Sequence, residues 1–210
     1  MDNNVNSYFV TGIGTDVGKT LVSSIVVEAL KADYWKPVQS GDLEYSDTDK
    51  VKALVTYPNS SYFENSYALK TPMSPHAAAK IDDVSIDITK IRRPVTSNNL
   101  VIEGAGGLLV PLNSDDTIAD LIHPDDKIIM VSRHYLGSIN HTLLSIDYLK
   151  RKGFENIGII FSGHHHPTTE EIILSKTKVR LIGRVEEEKK ITPKLISTYA
   201  KRFKSKLLNL

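Results

Sequence analysis

A chain of 210 residues, 40% hydrophobic and 24% charged, is long enough to bury one sizeable core and reads as a single domain over 1-210. Its 26 basic against 25 acidic residues leave a net charge of +1, so no general electrostatic case exists for nucleic acid as a partner. The lack of cysteine excludes disulfides, thiolate metal sites and a cysteine nucleophile. No apolar run approaches the roughly 18 residues of a membrane span, and MDNNVNSYFV carries no apolar leader, so a cytoplasmic protein with no membrane partner is expected.

The first predicted element is the strand Tyr8 to Thr11, which runs into GIGTDVGKT at 12–20 and then a helical pattern burying Leu21, Ile25, Val26 and Leu30. A phosphate-binding loop reads G-x-x-x-x-G-K-[ST], yet the place five before Gly18 holds Ile13, with Gly12 and Gly14 on either side. The plainer reading is a glycine-rich turn that merely caps a helix. The strand, loop and helix context argues for the phosphate loop instead, and makes Asp16, Val17, Gly18, Lys19, Thr20 and Leu21 the expected nucleotide-binding segment. Backbone N–H groups from Asp16 to Thr20, with the positive end of the helix dipole, would hold phosphate oxygens. Lys19 would reach the terminal phosphates of ATP, and the Thr20 hydroxyl would ligate Mg2+.

A second strand is predicted at Tyr34 to Lys36. The segment from Gly41 to Val95 carries Pro58, Pro72, Pro75 and Pro94 among polar clusters, and reads as a long excursion with short helices over the sheet edge. The strand Leu100 to Glu103 follows, ending in EGAGG. A carboxylate there, beside a phosphate loop, is well placed to approach magnesium directly or through water, and Gly104, Ala105 and Gly106 let backbone come close to a nucleotide. The alternative is a tight turn with a capping glutamate.

Further strands are predicted at Lys127 to Ser132, Ile157 to Phe161 and Val179 to Ile182, with Ile139, Leu143, Ile146 and Leu149 sharing one helix face between them. Strand followed by helix, repeated, gives an α/β single-domain P-loop fold with a mostly parallel central sheet and helices on both faces. Ligands in such folds sit at the carboxyl ends of the strands. His164, His165 and His166 are adjacent on a loop and cannot all converge on one metal ion. The tail from Lys189 to Leu210 is basic and free of acid. It reads as a terminal helix begun by Thr192 and Pro193, packed through Leu195, Tyr199, Phe203 and Leu207.

Five blocks in order, FVTGIGTDVGKT, YWKPVQSG (Tyr34 to Gly41), SPHAAA (Ser74 to Ala79), VIEGAGGLLVPL (Val101 to Leu112) and LGSINHTLL (Leu136 to Leu144), resemble the dethiobiotin synthetase family over residues 6 to 160. The loop of that family has one extra residue before Gly-Lys-Thr, so its first glycine corresponds to Gly12. The resemblance implies ATP-dependent carboxylation and ring closure of 7,8-diaminononanoate (7,8-diaminopelargonate) with CO2 or bicarbonate, giving dethiobiotin, ADP and phosphate in biotin biosynthesis. It implies Lys36 and Lys19 as catalytic residues with Thr15, and Thr15, Lys36 and Ser40 as contacts to substrate. It implies Thr20, Asp49 and Glu103 as the magnesium ligands. Asp49 fits best because Val51 and Leu54 follow it at helical spacing; Asp47 is the alternative, and two solvated capping aspartates are the plainer reading.

The resemblance also implies a homodimer, in which Gly137, Ser138 and Asn140 reach the substrate carboxylate of the other subunit; plain helix capping is the alternative for those three. Two departures stand out. Ser162 and Gly163 replace the asparagine of the family after its strand, and Arg184, Val185 and Glu186 replace its proline-containing adenine loop. A partition-type switch ATPase shares the loop but carries a second lysine near its start, where this chain has Ile13, Gly14 and Thr15. A nucleotide-binding module without ligase activity is the remaining alternative.

Overall fold

The computed structural model describes residues 5–210; the reading of residues 1–4 as free of an apolar leader lies outside them. The apolar run of β1 (Ser7–Gly12) has no polar face to offer to water and is buried on both sides, at the centre of a seven-stranded sheet. The other strands are β2 (Asp33–Trp35), β4 (Tyr62–Phe63), β6 (Leu100–Gly107), β7 (Lys127–Arg133), β8 (Ile157–Ser162) and β9 (Arg180–Val185). Their order is β4-β2-β6-β1-β7-β8-β9, and every pairing is parallel.

Parallel neighbours need crossover helices, and right-handed crossovers running in opposite directions from β1 and β7 place their helices on opposite faces. One face carries α1 (Lys19–Leu30), packed against α2 (Asp47–Leu54) and α6 (Pro193–Leu208); the other carries α4 (Ser138–Arg151) against α5 (Pro167–Thr177). The far end of α2 is tied to α1 by the Glu28 carboxylate, which accepts from Thr56 N at 2.7 Å, Thr56 Oγ1 at 2.6 Å and Tyr57 N at 3.2 Å. The terminal helix starts as expected: Thr192 Oγ1 accepts from Leu195 N and Pro193 takes the first helical position.

The middle segment differs from the expected excursion. It contributes β4 to the sheet edge, and β5 (Tyr67–Leu69) forms a separate two-stranded parallel sheet with β3 (Val38–Ser40), beside α2 and α3 (Pro75–Ile81). Strands of two or three residues are too short to show a period of two. EGAGG is not a tight turn: β6 continues through it to Gly107, which pairs with Gly12 of β1. Along α4 the buried residues are Ser138, Thr142, Ile146 and Leu149, whereas Ile139 is exposed. Leu21 of α1 is half-buried rather than buried. Among the described residues, no helix is long and apolar enough to cross a membrane.

Candidate active site

The loop after β1 closes tightly because two of its glycines are obligatory. A Cβ on Gly12 would lie 2.5 Å from Val17 Cγ2, and Gly18 takes φ 96° as it caps α1. Val17 is thereby buried beneath the loop. Lys19 folds back over it and donates to Gly14 O at 2.8 Å. Burial lowers its pKa to about 8 against the pull of Glu103, and the nearby Lys36 adds to the lowering.

The loop forms one wall of a cleft of about 730 Å³ at the carboxyl ends of the strands. Thr15, Asp16, Gly18, Lys19, Thr20 and Leu21 line it from the loop, and Lys36, Ser40, Glu103, Ala105 and Gly106 line it from the neighbouring strand ends. Gly104 faces away: a Cβ there would approach Ile118 and Phe9 at 3.0 and 3.2 Å.

At the cleft floor, Lys36 Nζ lies 2.9 Å from Glu103 Oε1 and 2.8 Å from Asp47 Oδ2. Thr20 Oγ1 donates to the same Glu103 oxygen at 3.0 Å, and Tyr34 Oη donates to Glu103 Oε2 at 2.9 Å. Burial alone would lower the Lys36 pKa, but Glu103 and Asp47 together hold it above the usual value. Burial likewise opposes ionisation of Asp47; Lys36, with Lys50 and Thr20, outweighs it and keeps that carboxyl below the usual range. Beside this cluster, Gln39 Oε1 and Ser40 Oγ are buried without a hydrogen-bond partner. The Gln39 amide is oriented by Nε2, which donates to Gly41 O at 3.0 Å, so its oxygen is left as the free acceptor.

One residue expected at the site lies outside the cleft. Asp49 does not reach the cleft: its Oδ2 accepts from Ser46 N at 2.9 Å and Ser46 Oγ at 2.6 Å, closing a capping box at the start of α2. Asp47, two residues earlier, takes the inward position. Gly137, Ser138 and Asn140 open α4 and do not line this cleft; Gly137 is left-handed, Ser138 buried and Asn140 exposed. Tyr34 and Gln39 lie within the block Tyr34 to Gly41, but nothing in that block marks the Tyr34 hydroxyl, which acts on the neighbouring strand, or the Gln39 amide, which turns to Gly41 two residues on.

At the departures from the family, a Cβ on Gly18 would lie 3.0 Å from Ser162 Oγ, so Ser162 packs beneath the phosphate loop. Glu187, paired with Arg133 at 2.8 Å, closes over Gly163. His164, His165 and His166 are exposed, and among the described residues no cluster of three or more histidines, aspartates and glutamates is placed to hold a metal ion.

A phosphate loop on the central strand, with a lysine and two carboxylates facing it from neighbouring elements, defines a P-loop nucleotide-binding protein. An AAA domain family model accordingly matches residues 6–194. The fold is similar to that of a ParA family ATPase from Chlorobium tepidum (TM-score 0.59, 11% identity, covering 98% of this chain and 99% of that one). It is also similar to the MinC:MinD cell division protein complex of Aquifex aeolicus (TM-score 0.58, 14% identity, 98% and 97% covered). In sequence the chain is 60% identical over 204 residues to the ATP-dependent dethiobiotin synthetase BioD of Christiangramia forsetii, covering 97% of this chain and 99% of that protein. It is 48% identical over 198 residues to that of Cytophaga hutchinsonii, covering 93% and 96%. The chain belongs to the ATP-dependent dethiobiotin synthetase family.

Proposed function

We infer that this protein, as one P-loop domain over 1-210, makes dethiobiotin in biotin biosynthesis. It carboxylates 7,8-diaminononanoate with CO2 and closes the ureido ring at the expense of ATP. The observation that carries the reading is the pairing, in one cleft, of a phosphate loop with a second buried lysine held by two carboxylates. Anionic carbamate, transferring phosphoryl group and tetrahedral intermediate all need positive charge already in place. Lys19 and the loop N–H groups hold the phosphates. Lys36 and Thr15 hold the carbamate oxygens as the phosphoryl group arrives, and keep them placed while the second amine attacks the carbonyl and phosphate departs. The acceptors Gln39 Oε1 and Ser40 Oγ, without a partner among the described residues, suit an amine substrate, whose N–H groups are donors.

The donor set also suits magnesium. Thr20, Asp47 and Glu103 are hard oxygen ligands, and the ammonium of Lys36 between the two carboxylates stands in for a cation there. When bound, the metal neutralises charge on the nucleotide phosphates. We read Gly137, Ser138 and Asn140 as serving the substrate carboxylate of a second subunit in a homodimer. The deciding experiment is phosphate release from ATP with and without the diamine and bicarbonate. Release that depends on both, with dethiobiotin formed, supports the reading; hydrolysis indifferent to the diamine marks a switch or binding module instead.

A further inference from the structure

We propose that Tyr34 is a positioning residue for the Glu103 carboxylate, fixing the plane in which its other oxygen is offered to the metal in the cleft. The proposal rests on the reading of Glu103 as a magnesium ligand. Glu103 is 1% exposed, so each of its oxygens needs a donor from the protein or a cation. The two oxygens have different company. Oε1 is shared by Thr20 Oγ1 and Lys36 Nζ, both groups of the cleft wall, whereas Oε2 has the Tyr34 hydroxyl at 2.9 Å.

The hydroxyl is aimed by the sheet. Tyr34 is fully buried on β2 and sits in register with Val101 of β6, two residues before Glu103, so both side chains leave the same face of the sheet. Its ring is held on the outer side by Tyr62 of β4, with centroids 6.5 Å apart. A carboxylate oxygen can only accept, so the phenol facing it is the donor.

A metal ion that takes Glu103 Oε1 displaces the Lys36 ammonium from it by like charge, whereas the Thr20 hydroxyl can keep its proton on Oε1 and turn a lone pair to the metal. Oε1 is thus the oxygen whose partners change. Oε2 keeps its own, because Tyr34 does not line the cleft. The carboxylate therefore holds its plane through the exchange of partners. Without the hydroxyl, Oε2 becomes a buried acceptor with no donor, free to rotate and to take Lys36 on both oxygens.

Tyr34→Phe removes only the hydroxyl. The test is binding of manganese(II) in the presence of ADP, followed by electron paramagnetic resonance of the free ion, for the wild type, Tyr34→Phe, Glu103→Gln and the double variant. Manganese affinity should fall about tenfold in Tyr34→Phe, as for other groups that orient a ligand, while metal-free binding of ADP is unchanged. Tyr34→Phe should add no further loss on top of Glu103→Gln. Wild-type manganese affinity in Tyr34→Phe, with or without a lower melting temperature, makes Tyr34 a packing residue only and overturns the proposal. If Tyr34→Phe does not fold, the double variant, which leaves no buried charge without its donor, is compared with Glu103→Gln alone: equal affinity supports the proposal and a further loss overturns it. A wild type with no ADP-dependent manganese binding removes the metal reading of Glu103, and the proposal with it, independently of any assay for dethiobiotin.

Discussion

The ammonium of Lys36 faces Asp47 at 2.8 Å, while the carboxylate of Asp49, about 200° further round the same helix, is folded back onto Ser46. Two aspartates two residues apart thus have separate tasks, one toward the cleft and one toward the helix end. Asp47→Asn should raise the magnesium concentration needed for half-maximal turnover about tenfold, a loss typical of a metal ligand or its support. Asp49→Asn should leave the magnesium titration unchanged and lower only the melting temperature. The reverse pattern would return the ligand role to Asp49.

Removal of either lysine should lower turnover about 100-fold or more, as for other preorganised charges in a transition state. Stability should separate them. Lys36→Met leaves the buried Glu103 carboxylate and the half-buried Asp47 carboxylate without their cation, a change that costs about 3 kcal/mol, and magnesium should restore much of it. Lys19→Met removes a charge that burial already disfavours and should not destabilise the fold. Melting curves in chelator and in magnesium check both. A Lys36→Met protein as stable in chelator as the wild type would contradict the ion-pair reading.

Base discrimination should be weak. Ser162 is packed under Gly18 and cannot span an adenine edge as an asparagine amide can, so a pair of hydrogen bonds worth roughly 1 to 3 kcal/mol is missing. The ratio of kcat/KM for ATP to that for GTP or CTP, at saturating diamine and bicarbonate, should stay within about 100-fold. A larger preference would mean that other groups, such as backbone near Glu187, read the base.

Away from the cleft, Glu170 is buried against both terminal nitrogens of Arg184, with His134 Nε2 at 2.9 Å. Burial opposes its ionisation, but Arg184 and His134 hold the carboxyl below its usual range. A depressed folded-state value gives stability that is present above the unfolded value, near 4.5, and lost as pH falls through the folded one. Glu170→Gln should therefore cost about 3 kcal/mol at neutral pH, and the gap to the wild type should close below pH 4.5. Urea unfolding of both proteins from about pH 7 down to about pH 3, a range that spans the carboxylate titration, tests this; a gap that stays constant rules it out.

The phosphate loop was legible because strand, glycine turn and Lys-Thr occur within a few consecutive residues. The strands β1, β6, β7 and β8 were legible because burial on both faces leaves an unbroken apolar run. What escaped lies in contacts between distant residues. The strands β3, β4 and β5 exist because partners distant in sequence supply their hydrogen bonds, β3 and β5 to each other and β2 to β4, not because two or three residues favour extension. The inward turn of Asp47 was hinted at locally, since Ser46 followed three residues later by Asp49 has the spacing of a capping box and commits Asp49 to it. Nothing near Tyr34 in sequence marks its hydroxyl as a donor to Glu103, 69 residues away.

The knot of Glu28 with Thr56 and Tyr57 gives α2 a fixed hinge on α1 at one end, while its other end is latched through Lys36 and Asp47, with Lys50 bridging Asp47 to Asp42. A hinge made of three hydrogen bonds to one carboxylate does not depend on what fills the cleft, whereas the latch is made of charges that nucleotide and metal compete for. Occupancy of the cleft therefore bears on the near end of α2 and on the loop 41–46 before it, while the far end and Val51, which is buried in the core, keep their partners.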